Sequence, residues 1–310
     1  MNILKIISVN ISEKKGTIKI PVDQIELNET GLKNDAHSGK WHRQVSLLGI
    51  ESIAKFEHQA GRKLEYGEFA ENITTEGIEL YKTKPLDILK NDTIELQITQ
   101  IGKHCHGDSC AIYREVGNCV MPKEGIFARV IKGGTLKAND VLQYFPKVFN
   151  ATIITLSDRA SSGEYEDRSG VRIKEILTEH FLKVGKEIKF NTIIIPDDEY
   201  LLKQHLLQAK EDNVDFIFTT GGTGIGLRDI TPDVVKLMLD KEIPGIMEMI
   251  RMKFGQEKPN ALLSRGVSGL MKNSLVYTLP GSVKAVNEYM PEILKTMEHL
   301  VYMLNNLDTH

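Results

Sequence analysis

VDFIFTTGGTGIGLRDITPDVVKLMLD, residues 214–240, reads as a buried strand joined to a capped helix through a loop almost free of side chains. VDFIFTT (214–220) is short, apolar and rich in β-formers, as a buried parallel strand is. Gly221, Gly222, Thr223 and Gly224 let the backbone approach an oxyanion closely, and the N–H groups of the loop and of the helix start are donors for phosphate. Thr231 is expected at the N-cap, with Pro232 at the first helical position and Asp233 near the positive end of the helix dipole. Arg228 adds a fork of donors and Asp229 a candidate Mg²⁺ ligand. Taken alone, such a turn is also read as a tight strand-to-helix connection. It is not a P-loop, because no Gly-Lys-Ser/Thr follows. The spacing of Gly222, Gly224 and Gly226 differs from the dinucleotide fingerprint, which weighs against a nicotinamide-dependent oxidoreductase.

Outward from that segment, the second half of the chain repeats the pattern. ATIITLSD (151–158), FNTIIIPDD (190–198) and LVYTLPGS (275–282) are further strands, and each is followed by a helical stretch. The alternation predicts an α/β domain with a mostly parallel sheet flanked by helices. Ligands of open α/β sheets bind outside the carboxyl ends of the strands. Those ends carry Ser157, Asp158 and Arg159; Asp197 and Asp198; the 221–229 loop; and Pro280, Gly281 and Ser282. Carboxylates beside phosphates are reconciled by a divalent cation between them, and Asp197 and Asp229 are the natural pair to hold Mg²⁺. Each aspartate singly is also read as a turn or helix cap.

The first half differs. KIISVNI, GTIKIPV, DTIELQITQI and GIFARVI alternate apolar and polar residues between Gly, Asn and Asp turns, with one helix expected near residues 49–59. This predicts a β-rich, barrel-like domain over residues 1–147, joined near residue 147, in the short stretch between Pro146 and Ala151, to the α/β domain over 148–310. A chain of 310 residues is long enough for both. The net charge of −3 argues against bulk nucleic-acid binding. No apolar run approaches membrane-spanning length and the first residues lack the long apolar core of a signal peptide, so a cytoplasmic protein is expected, with no membrane partner. Cys105, Cys110 and Cys119 cluster in the first half, pointing to thiol chemistry, a metal site or simple burial rather than a disulfide framework. Zinc is disfavoured by the absence of a CxxC pair. Burial suits Cys119, which adjoins an apolar run, while Lys103 and the neighbouring histidines would lower the thiol pKa of Cys105. His37 and His42 lie in a turn-rich segment that is read either as a receiver for phosphate or pterin or as a solvated loop. Arg43 and Arg129 are candidates for phosphate forks.

SDRASSG (157–163), Glu166-Asp167, Ile195-Pro196-Asp197, the 219–233 run and Leu279-Pro280-Gly281-Ser282 together resemble the successive motifs of the MoaB/Mog family of molybdenum-cofactor enzymes, over nearly all of 150–305. Within that family the chain is similar to the molybdopterin adenylyltransferases. The resemblance implies transfer of AMP from MgATP to the terminal phosphate of molybdopterin with release of pyrophosphate. It further implies that Asp197 and Asp229 are the essential carboxylates, that Arg228, Asp229, Thr231 and Pro232 mark an active member, and that the protein is a homo-oligomer, with a trimer favoured.

GLKNDAH (31–37), WHRQVSLL (41–48), GEFAENI (67–73) and the 125–140 stretch resemble the MOSC domain. That resemblance implies binding of a molybdopterin species and places at Cys105 the position proposed to carry sulfur or ligate metal. The surroundings, His104-Cys105-His106 with Cys110 and Cys119, are richer than the single cysteine usual there. The expected whole is a bifunctional protein that hands its product to the metal-insertion enzyme of the same pathway. The competing expectation is a non-catalytic carrier of the finished cofactor, which ATP-dependent pyrophosphate release distinguishes.

Overall fold

The computed structural model describes residues 3–103 and 119–307. The chain divides into two compact units, Met1–Lys147 with Asn306–His310, and Val148–Asn305.

The first unit is strand-rich. Its strands are β1 (Ile3–Ile11), β2 (Ile20–Val22), β3 (Gln24–Asn28), β4 (Gly31–Leu32), β5 (Val45–Gly49), β6 (Ile73–Glu76), β7 (Ile88–Lys90), β8 (Glu95–Ile101), β9 (Ile126–Lys132), β10 (Gly134–Lys137) and β11 (Val141–Phe145). Seven of them run in the order β11-β7-β8-β9-β5-β6-β1, and pairing of β1 with β11 closes the ring into a barrel. Ile3, Leu4 and Lys5 there face Gln143, Leu142 and Val141. Only the β5–β6 pair in this ring is parallel. Along β1 the exposed Ile3 and Lys5 alternate with the fully buried Leu4 and Ile6, as a two-residue period demands. The inward set from seven strands, including Val45, Leu47, Ile73, Leu96 and Ile126, forms one apolar core. Outside it, helix α1 (Ile50–Ala60) lays Ile53 and Phe56 over Leu48, Phe69 and Phe127. The short helix α2 (Met121–Glu124) adds Met121 to the same cluster. GTIKIPV contributes only the three residues of β2.

The second unit begins with β12 (Val148–Leu156), helix α3 (Asp158–Ser161), α4 (Ser169–Lys183), β13 (Glu187–Ile195), α5 (Glu199–Glu211), β14 (Phe216–Thr220) and α6 (Thr231–Met238). It continues with β15 (Lys241–Glu242), α7 (Pro244–Gly255), β16 (Ser268–Met271), β17 (Ser274–Leu279) and α8 (Val283–Leu304). The sheet order is β13-β12-β14-β17-β16-β15. The four strands read from sequence are those that pair in parallel. β16 and β15 extend the sheet antiparallel and were not expected. One face packs Ile154, Leu156, Ile217 and Val276 against Leu202 and Leu206 of α5 and Val234 and Val235 of α6. The other face carries an aromatic layer in which Phe149, Phe181 and Phe216 meet edge-on or stacked and Phe218 stacks on Tyr277 at 5.2 Å.

Two local expectations are corrected. The helix expected to run on to residue 240 stops at Met238, and Lys241 and Glu242 just beyond it pair with Leu270 and Gly269. Thr231 is not the N-cap. The helix already includes Thr231, the preceding Ile230 has no capping side chain, and the Thr231 hydroxyl is buried without a partner.

Candidate active site at the carboxyl edge of the second sheet

Each parallel strand ends in a polar group that the backbone then fixes. After β12, the Ser157 hydroxyl accepts the Ala160 N–H at 3.2 Å and caps α3. Asp158 Oδ1 accepts the Asp197 N–H at 3.0 Å, tying the end of β12 to the end of β13. The Asp158 carboxylate also pairs with the Arg228 guanidinium. After β13, Asp198 caps α5 by accepting the Leu201 N–H at 2.8 Å, which leaves the preceding Asp197 for the cavity. After β17, Ser282 caps α8 through the Ala285 N–H at 3.2 Å.

The glycine loop after β14 has a steric reason for its composition. Gly221 has φ +100°, and a Cβ there would stand 2.2 Å from the Leu156 carbonyl oxygen. Its N–H donates to Leu279 O at 3.0 Å. Gly222, at φ +60°, accepts the Thr231 N–H at 3.2 Å, and a Cβ on it would press to 2.6 Å from the Thr231 hydroxyl. Thr231 therefore backs the loop from a fully buried position rather than facing a ligand. Asp229 is held by its own turn, where Oδ2 accepts the Gly226 N–H at 2.8 Å.

Asp197, Asp229, Gly222, Arg228, Asp158, Ser157 and Arg159 line one open cavity. A second cavity shares Ser157 and Arg159 and adds Asp167, Arg168, Gly281 and Ser282. A third shares Ser282 and is lined by Thr223, Gly224, Pro280, Lys258, Lys284 and Tyr289. The sequence-read strand ends thus border a contiguous set of hollows. Gly221 is buried beneath them, where its Cα lies close under Gly281.

The electrostatics of the carboxylate pair favour a cation. Burial first, and the neighbouring Asp229 charge second, raise the Asp197 carboxyl above the ordinary aspartate range. A divalent cation between the two would relieve that repulsion, and Mg²⁺ typically takes one or two carboxylates and completes its octahedron with water and phosphate oxygens. No cluster of three or more His, Cys, Asp or Glu suited to a metal occurs among the described residues. Two carboxylates beside a glycine loop are a donor set that suits a cation shared with a phosphate.

Arg265, which no sequence motif singled out, donates to the loop carbonyls of Thr223 and Gly224 at 3.0 and 2.7 Å. Lys258 and Tyr289 of the third cavity were also missed. They come from α8 and from a turn that no local pattern connects to the strand ends.

In the first unit, His37 adjoins a buried ion pair. Lys19 Nζ meets Asp35 Oδ2 at 2.5 Å with both side chains essentially inaccessible, and His37 Nδ1 lies 3.4 Å from the same nitrogen. Asp35 also accepts the backbone N–H groups of Ser12 and His37 and the Asn72 amide. Burial alone would raise its carboxyl, but the hydrogen bonds from His37 and Lys19 hold it well below the usual range. Arg43 stacks over Trp41 at 4.8 Å and near Phe127 at 6.0 Å, with its Nε buried. Arg129 directs Nε and Nη2 to Gln97 Oε1 at 2.9 and 2.6 Å. Cys119 is buried under α1. Cys105 and Cys110 lie outside the described residues.

Residues 152–299 match the family described as a probable molybdopterin binding domain, and residues 34–143 match the MOSC domain. The chain is 37% identical over 153 residues to a molybdopterin adenylyltransferase of Helicobacter pylori, covering 49% of this chain and 85% of that protein. It is 36% identical over 161 residues to a molybdopterin adenylyltransferase of Pyrococcus furiosus, covering 50% and 91% respectively. The solved structure of a MoaB molybdopterin biosynthesis enzyme from Thermus thermophilus is 34% identical, covers 50% of this chain and 96% of that one, and aligns with a TM-score of 0.45. Through its second half, this chain belongs to the molybdopterin adenylyltransferase family, and its first half carries a MOSC domain.

Proposed function

We propose that the second unit transfers AMP from ATP to the terminal phosphate of molybdopterin and releases pyrophosphate. The observation that carries this reading is the convergence of two carboxylates, Asp197 and Asp229, with the glycine loop in a single cavity. Loop amides near Gly222 and Gly224 and the start of α8 at Ser282 hold phosphate groups, as helix starts and glycine turns do. Arg228, now paired with Asp158, is positioned to exchange that partner for phosphate. Asp197 and Asp229 would hold Mg²⁺, which would supply charge neutralisation on the α-phosphate of the transferring adenylyl group and on the leaving pyrophosphate. No side-chain nucleophile is required, because the attacking oxygen is the substrate's own phosphate, and positioning and electrostatics supply the catalysis.

The first unit binds a molybdopterin species in this reading, with Arg43, Arg129 and His37 as phosphate or pterin contacts and Cys105 as the candidate sulfur carrier. Location in the cytoplasm, a homotrimeric assembly and transfer of product to a metal-insertion enzyme belong to the same proposal. Among the described residues no helix is long and apolar enough to cross a membrane.

The test is turnover of the full chain with ATP, Mg²⁺ and molybdopterin, read as pyrophosphate release. Asp229→Ala is expected to retain the circular-dichroism spectrum of the parent and to lose pyrophosphate release. Retained turnover in that variant would overturn the assignment.

A further inference from the structure

The 223–229 loop carries Asp229 but has little packing of its own, since Ile225, Gly226, Leu227 and Arg228 are all exposed. One side chain from another part of the chain grips it at both ends. Arg265, between the turn Pro259–Leu263 and β16, donates its backbone N–H to Thr223 O and its Nε to Gly224 O. Its Nη2 donates to Asp229 O, and its Nη1 reaches both carboxylate oxygens of Asp233 at 2.8 and 2.9 Å. The planar fork of arginine suits this set, because several donors leave one rigid group in fixed directions. A lysine ammonium keeps the charge but not the directions.

We propose that Arg265 is a positioning residue that fixes Asp229 relative to Asp197 and thereby sets the affinity of the site for a divalent cation. The grip does not touch the carboxylate of Asp229. It acts on the backbone carbonyl of that residue and on the beginning of the same loop, while the bond from Gly226 N–H orients the side chain. Asp197 stands on a different strand end and is anchored through Asp158. The distance between the two carboxylates is therefore only as well defined as the loop is. Cation binding for adenylyl transfer belongs to the function proposed above, and the inference rests on that reading for its purpose.

The experiment uses Mn²⁺ as a paramagnetic probe of the full chain, with ATP present, and measures dissociation constants for the parent, Arg265→Lys, Arg265→Ala and Asp233→Asn. Thermal unfolding and pyrophosphate release are measured on the same samples. Residues that orient metal ligands without touching the metal typically change affinity by about 10- to 100-fold when removed, and Arg265→Lys is expected in that range. Asp233→Asn loses the ion pair but keeps the carbonyl grip, and is expected to bind Mn²⁺ like the parent. A residue that merely stabilises the fold would lower the unfolding temperature in Arg265→Lys and leave Mn²⁺ affinity unchanged, which would overturn the proposal. So would a parent protein with no Mn²⁺ affinity. Weakened Mn²⁺ binding in Arg265→Lys, with a parent that releases no pyrophosphate, would keep the positioning role and discard the transferase reading. Pyrophosphate release by the parent with Mn²⁺ affinity unchanged in the Arg265 variants would do the reverse.

Discussion

Gly224→Ala is expected to disable the site while sparing the fold. A Cβ at Gly224 would stand 2.6 Å from Asp229 Oδ2, where ordinary contact begins at 3.4 Å, so the oxygen must retreat by about 0.8 Å. The residue does not have the left-handed φ of Gly221 and Gly222, so the backbone can accept alanine. Reducing the freedom of the unfolded chain stabilises by about 0.4–1 kcal/mol in such cases. Disturbing the bond from Gly226 N–H to Asp229 costs about 1 kcal/mol, so the two effects nearly cancel. Activity has no such compensation, because misplacing a reacting group by about 1 Å costs on the order of 100-fold. Pyrophosphate release should therefore fall by roughly 30- to 100-fold with the urea midpoint nearly unchanged. Gly245→Ala is the control, since a Cβ there meets nothing within 4 Å. Gly224→Ala turnover equal to that of the control would refute the reasoning, as would a loss of activity that merely follows a loss of folded protein.

Thr231→Val tests whether that residue packs or caps. The structure expects neutrality or a gain of up to about 1 kcal/mol, because an unpartnered buried hydroxyl is removed at constant shape, whereas loss of a true cap would cost about 1 kcal/mol by urea unfolding. In the first unit, Asp35→Ala strands the buried Lys19 charge and is expected to cost about 3–5 kcal/mol, whereas the double variant Lys19→Met/Asp35→Leu costs less than the single one. Asp35 also gives an acid limb. Its folded pKa lies below the unfolded value of about 3.9, so its contribution is complete above that pH and is lost as pH falls toward the folded value. Asp35→Asn should flatten the stability profile below about pH 4.

The parallel strands of the second unit were legible because each is a short apolar run ending in a turn, a signal contained within a few residues. The cap at Asp198 was one of the readings open to each aspartate, and the cap at Ser282 was not read. Thr231 was misread because Thr-Pro-Asp is a good helix start in isolation. Here the tight turn at Gly222 recruits Thr231 as packing, and the helix begins one residue earlier than a cap would allow. β15 and β16 were invisible, being four residues or fewer and stabilised by each other and by β17 rather than by their own composition. Closure of the barrel joins residues 3–5 to 141–143, a pairing no local window contains. Arg265 belongs to the same class, since three carbonyls held by one residue, two through its side chain and one through its backbone N–H, leave no trace in spacing. The pairing of Lys19 with Asp35 was hidden because two charges in polar segments read as solvated until the fold removes the water.

Closure of the barrel also divides the chain by its susceptibility to self-association. A ring of seven paired strands offers intruding chains no row of free amides along its main circuit, whereas the second sheet ends on β13, nine residues long and paired on one side only. Ile194 is 45% exposed on that strand, whose exposed charges are Glu187 and Lys189. Charged side chains on an edge strand disfavour the addition of a foreign strand. The long unpaired side of β13 is therefore the place in the second sheet with most room for an added strand.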